Sequence, residues 1–354
     1  METKSLSETL SALTRDGELY EALPDGRIRC FACGHRCPIP EGKAGVCKVR
    51  FNAGGRLRVP YGYVAALQDD PIEKKPFYHA LPGSRALSFG MLGCDFHCSY
   101  CQNWITSQAL RDPEAGAPAM LVTPEKIVEL ALIRGCKIVT STYNEPLITS
   151  EWAVAVFKKA REAGLVTSFV SNGNATPEVL DYLQPWVDLY KVDLKSFDER
   201  HYRELGGTLE NVCRTIVDLH RRGIWLEVVT LLIPGFNDSE EELTALTRFL
   251  ASVSLEIPWH VTAYHQDYKM TENENTRPEH LLRAAEAGRK AGLKFIYPGN
   301  LPGRVGKGEN TYCPQCDELL IERLGFNVLR DELSASFGKC FACGYSLPGF
   351  WRKK

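Results

Sequence analysis

The sequence has no run of about twenty consecutive apolar residues, so it offers no candidate membrane span; stretches such as residues 224–233 are too short or are interrupted. It also lacks an excess of charge of one sign. With 42 Lys and Arg against 44 Asp and Glu, the net charge is −2, which argues against bulk electrostatic binding to nucleic acid. Residues 1–15 carry charges through their middle rather than an apolar segment, so no secretory signal is read there and a cytoplasmic location is expected. No low-complexity linker or long repeat marks a domain boundary. What remains is an ordinary globular composition, 44% hydrophobic and 24% charged over 354 residues, expected to form one large domain with appendages, or two.

Cysteine is the abundant exception. Thirteen are present, and in a reducing compartment they are expected to hold metals rather than form disulfides. They fall into sets: Cys30, Cys33, Cys37 and Cys47; then Cys94, Cys98 and Cys101; then Cys313, Cys316, Cys340 and Cys343. Cys136 and Cys213 stand alone and read as core residues. The terminal set is two C-x2-C pairs about two dozen residues apart, close to the zinc-ribbon pattern, and is assigned zinc. The N-terminal set has enough thiolates for one zinc or for a second iron–sulfur cluster, with His35 inside it as a substitute ligand.

Residues 1–80 show little regular alternation and read as an N-terminal metal-binding module. Residues 81–306 alternate short apolar or β-branched runs with amphipathic stretches. Segments 85–91, 137–142, 166–171, 189–194, 226–233 and 260–264 read as six strands, and Thr123, Thr176 and Ser239 as helix caps. Six strand–helix repeats imply a parallel α/β sheet, either doubly wound or an incomplete barrel, with reactive groups on the loops after the strands. Residues 307–354 return to paired cysteines and read as a separate knuckle.

The loop after the first of these strands reads Cys94-Asp95-Phe96-His97-Cys98-Ser99-Tyr100-Cys101. Three thiolates this close can bind three irons of a [4Fe–4S] cube and leave the fourth iron open to a small molecule bearing an amine and a carboxylate. The alternative is a zinc site with His97 or a remote group as fourth ligand.

This run resembles the cluster motif of the radical S-adenosylmethionine (SAM) superfamily. The resemblance implies an incomplete (β/α)6 TIM-like barrel with small cysteine-rich modules at both ends. It implies Cys94, Cys98 and Cys101 as cluster ligands and Tyr100 as an aromatic near the adenine. Reductive cleavage of SAM would then give a 5′-deoxyadenosyl radical that abstracts hydrogen from an unknown substrate. The segments Pro71–His79 and Gln102-Asn103-Trp104 are similar to the branch related to pyruvate formate-lyase activating enzymes. Thr142-Tyr143-Asn144-Glu145-Pro146 stands where relatives bind the SAM amino group, so Asn144 and Glu145 are candidates there. Ser171 and Asn172 are candidates for ribose, Asp193 and Lys195 for the carboxylate region with a monovalent cation beside Asp193, and His265 for a ribose or carboxylate oxygen. The placement of the outer cysteine sets, with Gly42-Lys43-x-Gly45-x-Cys47 and Asn310-Thr311-Tyr312-Cys313-Pro314, is similar to the AmmeMemoRadiSam group. That likeness implies AMMECR-type and Memo-type protein partners and a reducing partner such as flavodoxin or ferredoxin. Two other readings stand beside it: activation of a glycyl-radical partner protein, and a zinc-binding scaffold without catalysis. Neither nucleic acid nor membrane is expected as a partner.

Overall fold

A computed structural model describes residues 6–351. Its centre is an eight-stranded sheet whose strands lie side by side in chain order: β1 (Ala66–Pro71), β2 (Arg85–Gly90), β3 (Ile138–Ser141), β4 (Val166–Ser171), β5 (Leu189–Asp193), β6 (Trp225–Leu232), β7 (Trp259–Ala263) and β8 (Ile296–Gly299). The strands β2 to β8 are parallel, and β1 runs antiparallel along β2. The edge strands β1 and β8 are not paired with each other, so this is an incomplete TIM-like barrel.

The six expected strands are all present, with ends shifted by one residue where they differ. Two further strands escaped the sequence pattern. Strand β8 reads Ile-Tyr-Pro-Gly, and Pro298 and Gly299 ordinarily argue against a strand; it is tolerated because β8 is an edge strand. Strand β1 contains Gln68, Asp69 and Asp70 and stays half-exposed along the opposite edge, so it shows no apolar run. It also extends the sheet into the segment read as the N-terminal module.

Crossover helices connect the strands: α1 (Pro124–Ile133), α2 (Ser150–Glu162), α3 (Pro177–Leu183), α4 (Glu199–Leu205), α5 (Leu209–Arg221), α6 (Glu240–Val253) and α7 (Pro278–Lys290). The expected caps form. Thr123 Oγ accepts from Lys126 N, Thr176 Oγ from Val179 N, and Ser239 Oγ from Glu242 N. Each satisfies a backbone donor that the first helical turn leaves unpaired. The helices bury one face against the sheet, where Trp152, Phe157, Phe89 and Phe169 are each at most 1% exposed. Among the described residues, no helix is long and apolar enough to cross a membrane.

The N-terminal segment forms two small three-stranded sheets, one carrying Cys30 on its buried strand Ile28–Cys30. At the other end Thr311–Tyr312, Leu319–Leu324 and Asn327–Asp331 make an antiparallel sheet. Leu320 and Ile321 of this sheet and Leu333 just after it pack with Tyr78, Phe295 and Tyr297 in a separate buried cluster.

Candidate active site

The three loop cysteines leave the C-terminal end of β2, where a parallel sheet of this kind gathers chemistry. Two glycines make the exit possible. A Cβ on Gly90 would stand 2.5 Å from the Thr142 carbonyl oxygen, and Gly93 has φ +94° with Val49 and the Cys47 carbonyl against it. Only glycine relieves both the crowding and the left-handed backbone at position 93. Beyond it, Phe96 N donates to Cys94 Sγ at 3.4 Å, and Cys101 Sγ lies 3.1 Å from Ser107 Oγ. Burial pushes both thiols up, and these contacts work against that shift.

Cys94, Cys98 and Cys101 line one cavity of about 100 Å³. No fourth cysteine and no histidine lines it. His97, the alternative fourth ligand, is exposed and belongs to no close ligand group among the described residues. The donor set therefore fits a group that takes three thiolates from the chain and leaves one position open. Cys98, Cys101, Asp193 and Lys195 also line a second cavity of about 440 Å³ that runs into the barrel.

The residues expected around SAM divide into two kinds. The first kind faces the larger cavity. Lys191, Asp193 and Lys195, at alternate positions along β5 and its exit, share a face. Asp193 is held between the ammonium groups of Lys191 and Lys195, the latter at 3.3 Å. Burial would strip the charge from Lys195, but Asp193 and the nearby Cys98, Tyr100 and Cys101 outweigh it and hold its pKa high. Tyr100 is buried edge-on to Phe236, and the exposed His265 lies 3.1 Å from Gln102 Nε2 at the rim.

The second kind, Asn144, Glu145, Ser171 and Asn172, lines the smaller cavity with the cysteines while its side chains also bond within the protein. Glu145 is 2% exposed; its carboxylate accepts from Ser171 Oγ at 2.8 Å, Asn172 N at 2.7 Å and Leu147 N at 2.9 Å. Burial and the neighbouring Asp95 push its pKa up to about 8 in spite of those donors. Asn144 Oδ1 accepts from Met91 N at 3.0 Å. Asn172 Nδ2 donates to Asp95 at 2.8 Å. These side chains tie the ends of β2, β3 and β4 together and set the cysteine loop.

Sequence reading missed the hub of that arrangement. Asp95 is fully buried and also accepts from Asn174 Nδ2 at 2.8 Å. It also missed Lys75, which is buried in the wall of the larger cavity, 2.9 Å from Asp70 and 3.0 Å from the Tyr143 hydroxyl. The segment Pro71–His79 was singled out as a motif, yet nothing in it marked this lysine as inward-facing.

The outer cysteine sets differ from each other. Cys313, Cys316, Cys340 and Cys343 bring their sulfurs within 4.8 Å of one another, with pairs at 3.5 and 3.7 Å. Burial works against ionising Cys340, but N–H groups of Cys343 and Ala342 and the neighbouring sulfurs bring its pKa down to about 7. That site can take one tetrahedral metal ion. Cys30, Cys33, Cys37 and Cys47 form no such close group. His35 points elsewhere, with Nε2 at 3.2 Å from the Asp95 carbonyl. Cys136 is buried as expected, whereas Cys213 on α5 is half-buried.

Comparison with known proteins agrees with this geometry. The model of the radical SAM superfamily matches residues 90–247, a span that begins at the end of β2 and covers the cysteine loop. The chain belongs to the radical SAM superfamily and is an enzyme of that class. An uncharacterized protein of Methanocaldococcus jannaschii, MJ0808, is 38% identical over 93% of this chain and 98% of its own length. The pyruvate formate-lyase-activating enzyme of Staphylococcus aureus is 26% identical over 52% of this chain and 76% of its own. Among solved structures, Streptococcus suis SuiB bound to S-adenosylmethionine superposes with a TM-score of 0.47 at 14% identity, covering 65% of this chain and 53% of that one.

Proposed function

We propose that Cys94, Cys98 and Cys101 hold a [4Fe–4S] cluster and that the adjoining cavity receives SAM. The observation that carries this reading is the shared small cavity of the three thiols, without a fourth thiol or imidazole, opening beside Asp193 and Lys195 onto a larger one. When bound, the cluster supplies the electron that splits the sulfonium into methionine and a 5′-deoxyadenosyl radical able to abstract hydrogen from a substrate. The chain's own residues do the positioning. Lys195 offers a cation to the SAM carboxylate. Asp193, fixed between two ammonium groups, orients Lys195, and the proposed monovalent cation would sit beside it. Tyr100 gives the adenine an apolar face, and His265 stands at the rim for a ribose or carboxylate oxygen. Glu145, Ser171 and Asn172 act on SAM through the backbone segments they hold in place.

The four terminal cysteines are proposed to bind a structural zinc. Placement of the cysteine sets supports the AmmeMemoRadiSam group, with AMMECR-type and Memo-type partners and a flavodoxin or ferredoxin as reductant.

The test is anaerobic incubation of reconstituted protein with SAM and a reductant. The reading expects 5′-deoxyadenosine and methionine from the wild type and none from Cys98→Ala. Equal 5′-deoxyadenosine from both would overturn it, and a protein containing zinc alone would favour the scaffold. The match to an activating enzyme favours one second reading, a partner protein as substrate. A glycyl-radical doublet in the electron paramagnetic resonance (EPR) spectrum of that partner supports it.

A further inference from the structure

Three sets of cysteines in one chain allow an internal comparison of spacing. Zinc at about 2.3 Å from each of four tetrahedral thiolates sets the sulfurs about 3.8 Å apart. The terminal knuckle has this form, with all four sulfurs within 4.8 Å and two pairs at 3.5 and 3.7 Å. A cubane cluster ties each thiolate to a different iron, so its ligands must stand farther apart. Cys94, Cys98 and Cys101 line one cavity without closing to that distance. The N-terminal set behaves like the second case. Cys30, Cys33 and Cys47 are buried and Cys37 half-buried. Cys30 lies within electrostatic range of the other three, yet no three of the four sulfurs approach within 4.8 Å of one another.

A second observation points the same way. Arg50 is 1% exposed and binds Glu151 through both terminal nitrogens, at 2.7 and 2.8 Å. Its Nε–H has no partner among the described residues. Arg50 is within electrostatic range of Cys30 and Cys47. A buried donor without an acceptor is costly, and the sulfurs of an iron–sulfur cluster accept such bonds.

We propose that Cys30, Cys33, Cys37 and Cys47 hold an auxiliary [4Fe–4S] cluster rather than zinc. It would sit against the back of the loop carrying Cys94. The Cys47 carbonyl abuts Gly93, and Arg111 bridges the Val46 carbonyl at 2.7 Å and the Phe96 carbonyl at 2.8 Å. Gly34 N donates to the Asn174 carbonyl at 2.8 Å. Two metal-binding loops that brace each other in this way place a second redox centre beside the first. This assignment rests in part on the proposed role of Cys94, Cys98 and Cys101 as cluster ligands.

Metal and sulfide analysis of the full chain, with EPR after dithionite reduction, tests the proposal. The wild type reconstituted with iron and sulfide is expected to carry about eight irons and one zinc. A Cys94→Ala/Cys98→Ala/Cys101→Ala variant, which leaves the N-terminal segment intact, keeps about four irons and a [4Fe–4S] signal. Adding Cys33→Ala to it removes them. Iron near zero in the triple variant, with about two zinc ions per chain, would overturn the proposal. Failure of the SAM-site reading looks different, with about four irons in both the wild type and the triple variant.

Discussion

At the scale of residues, Glu145 carries the sharpest consequence. Its ordinary value is 4.5, and burial beside Asp95 raises it to about 8. Between those values the folded chain holds a proton that the unfolded chain has released. The stabilisation is therefore complete below pH 4.5 and declines as pH rises toward 8. Glu145→Gln, which cannot titrate, should flatten the fall of Tm between pH 5 and pH 8 relative to wild type; parallel profiles would contradict the assignment. Cys98→Ala is a contrasting case, expected to melt close to wild type while losing all SAM cleavage, because it removes one sulfur and leaves the buried Phe96 and Tyr100 of the loop in place. The cysteines were legible because their spacing is local in the chain. Asp95 was not, since its meaning comes from Asn172 and Asn174, 77 and 79 positions away.

Among the elements, α2 and the N-terminal segment are joined by the Arg50–Glu151 pair, whose side chains are 1% and 0% exposed. Removing one partner strands a buried charge, which costs on the order of 3–5 kcal/mol. Arg50→Met is expected to lower unfolding free energy by that order in urea titration, and Arg50→Met/Glu151→Leu by less. A single variant within about 0.5 kcal/mol of wild type would show that the pair is not holding these elements together. Elements were legible where an apolar run or a helix cap marked them. The inner strands β2 to β7 announced themselves as apolar runs, and helices α1, α3 and α6 by their caps. The edges β1 and β8 hid behind acidic residues, proline and glycine, since an edge strand faces fewer neighbours that demand an apolar side chain.

Across the whole molecule, the terminal knuckle covers one end of the barrel. Arg323 Nη2 donates to the Tyr78 carbonyl at 2.8 Å, and His79 Nδ1 lies 2.8 Å from the Pro348 carbonyl. A segment with so small a core depends on its metal for folding energy. Cys340→Ala, or prolonged chelation, should release zinc and lower Tm by several degrees or more; an unchanged Tm after zinc loss would separate metal from stability. The most direct test of the central claim is the EPR spectrum of the dithionite-reduced, iron-loaded wild type with and without SAM. An open iron beside Lys195 predicts that SAM shifts part of the [4Fe–4S] signal and that Cys98→Ala abolishes the shift. A spectrum indifferent to SAM would contradict the account.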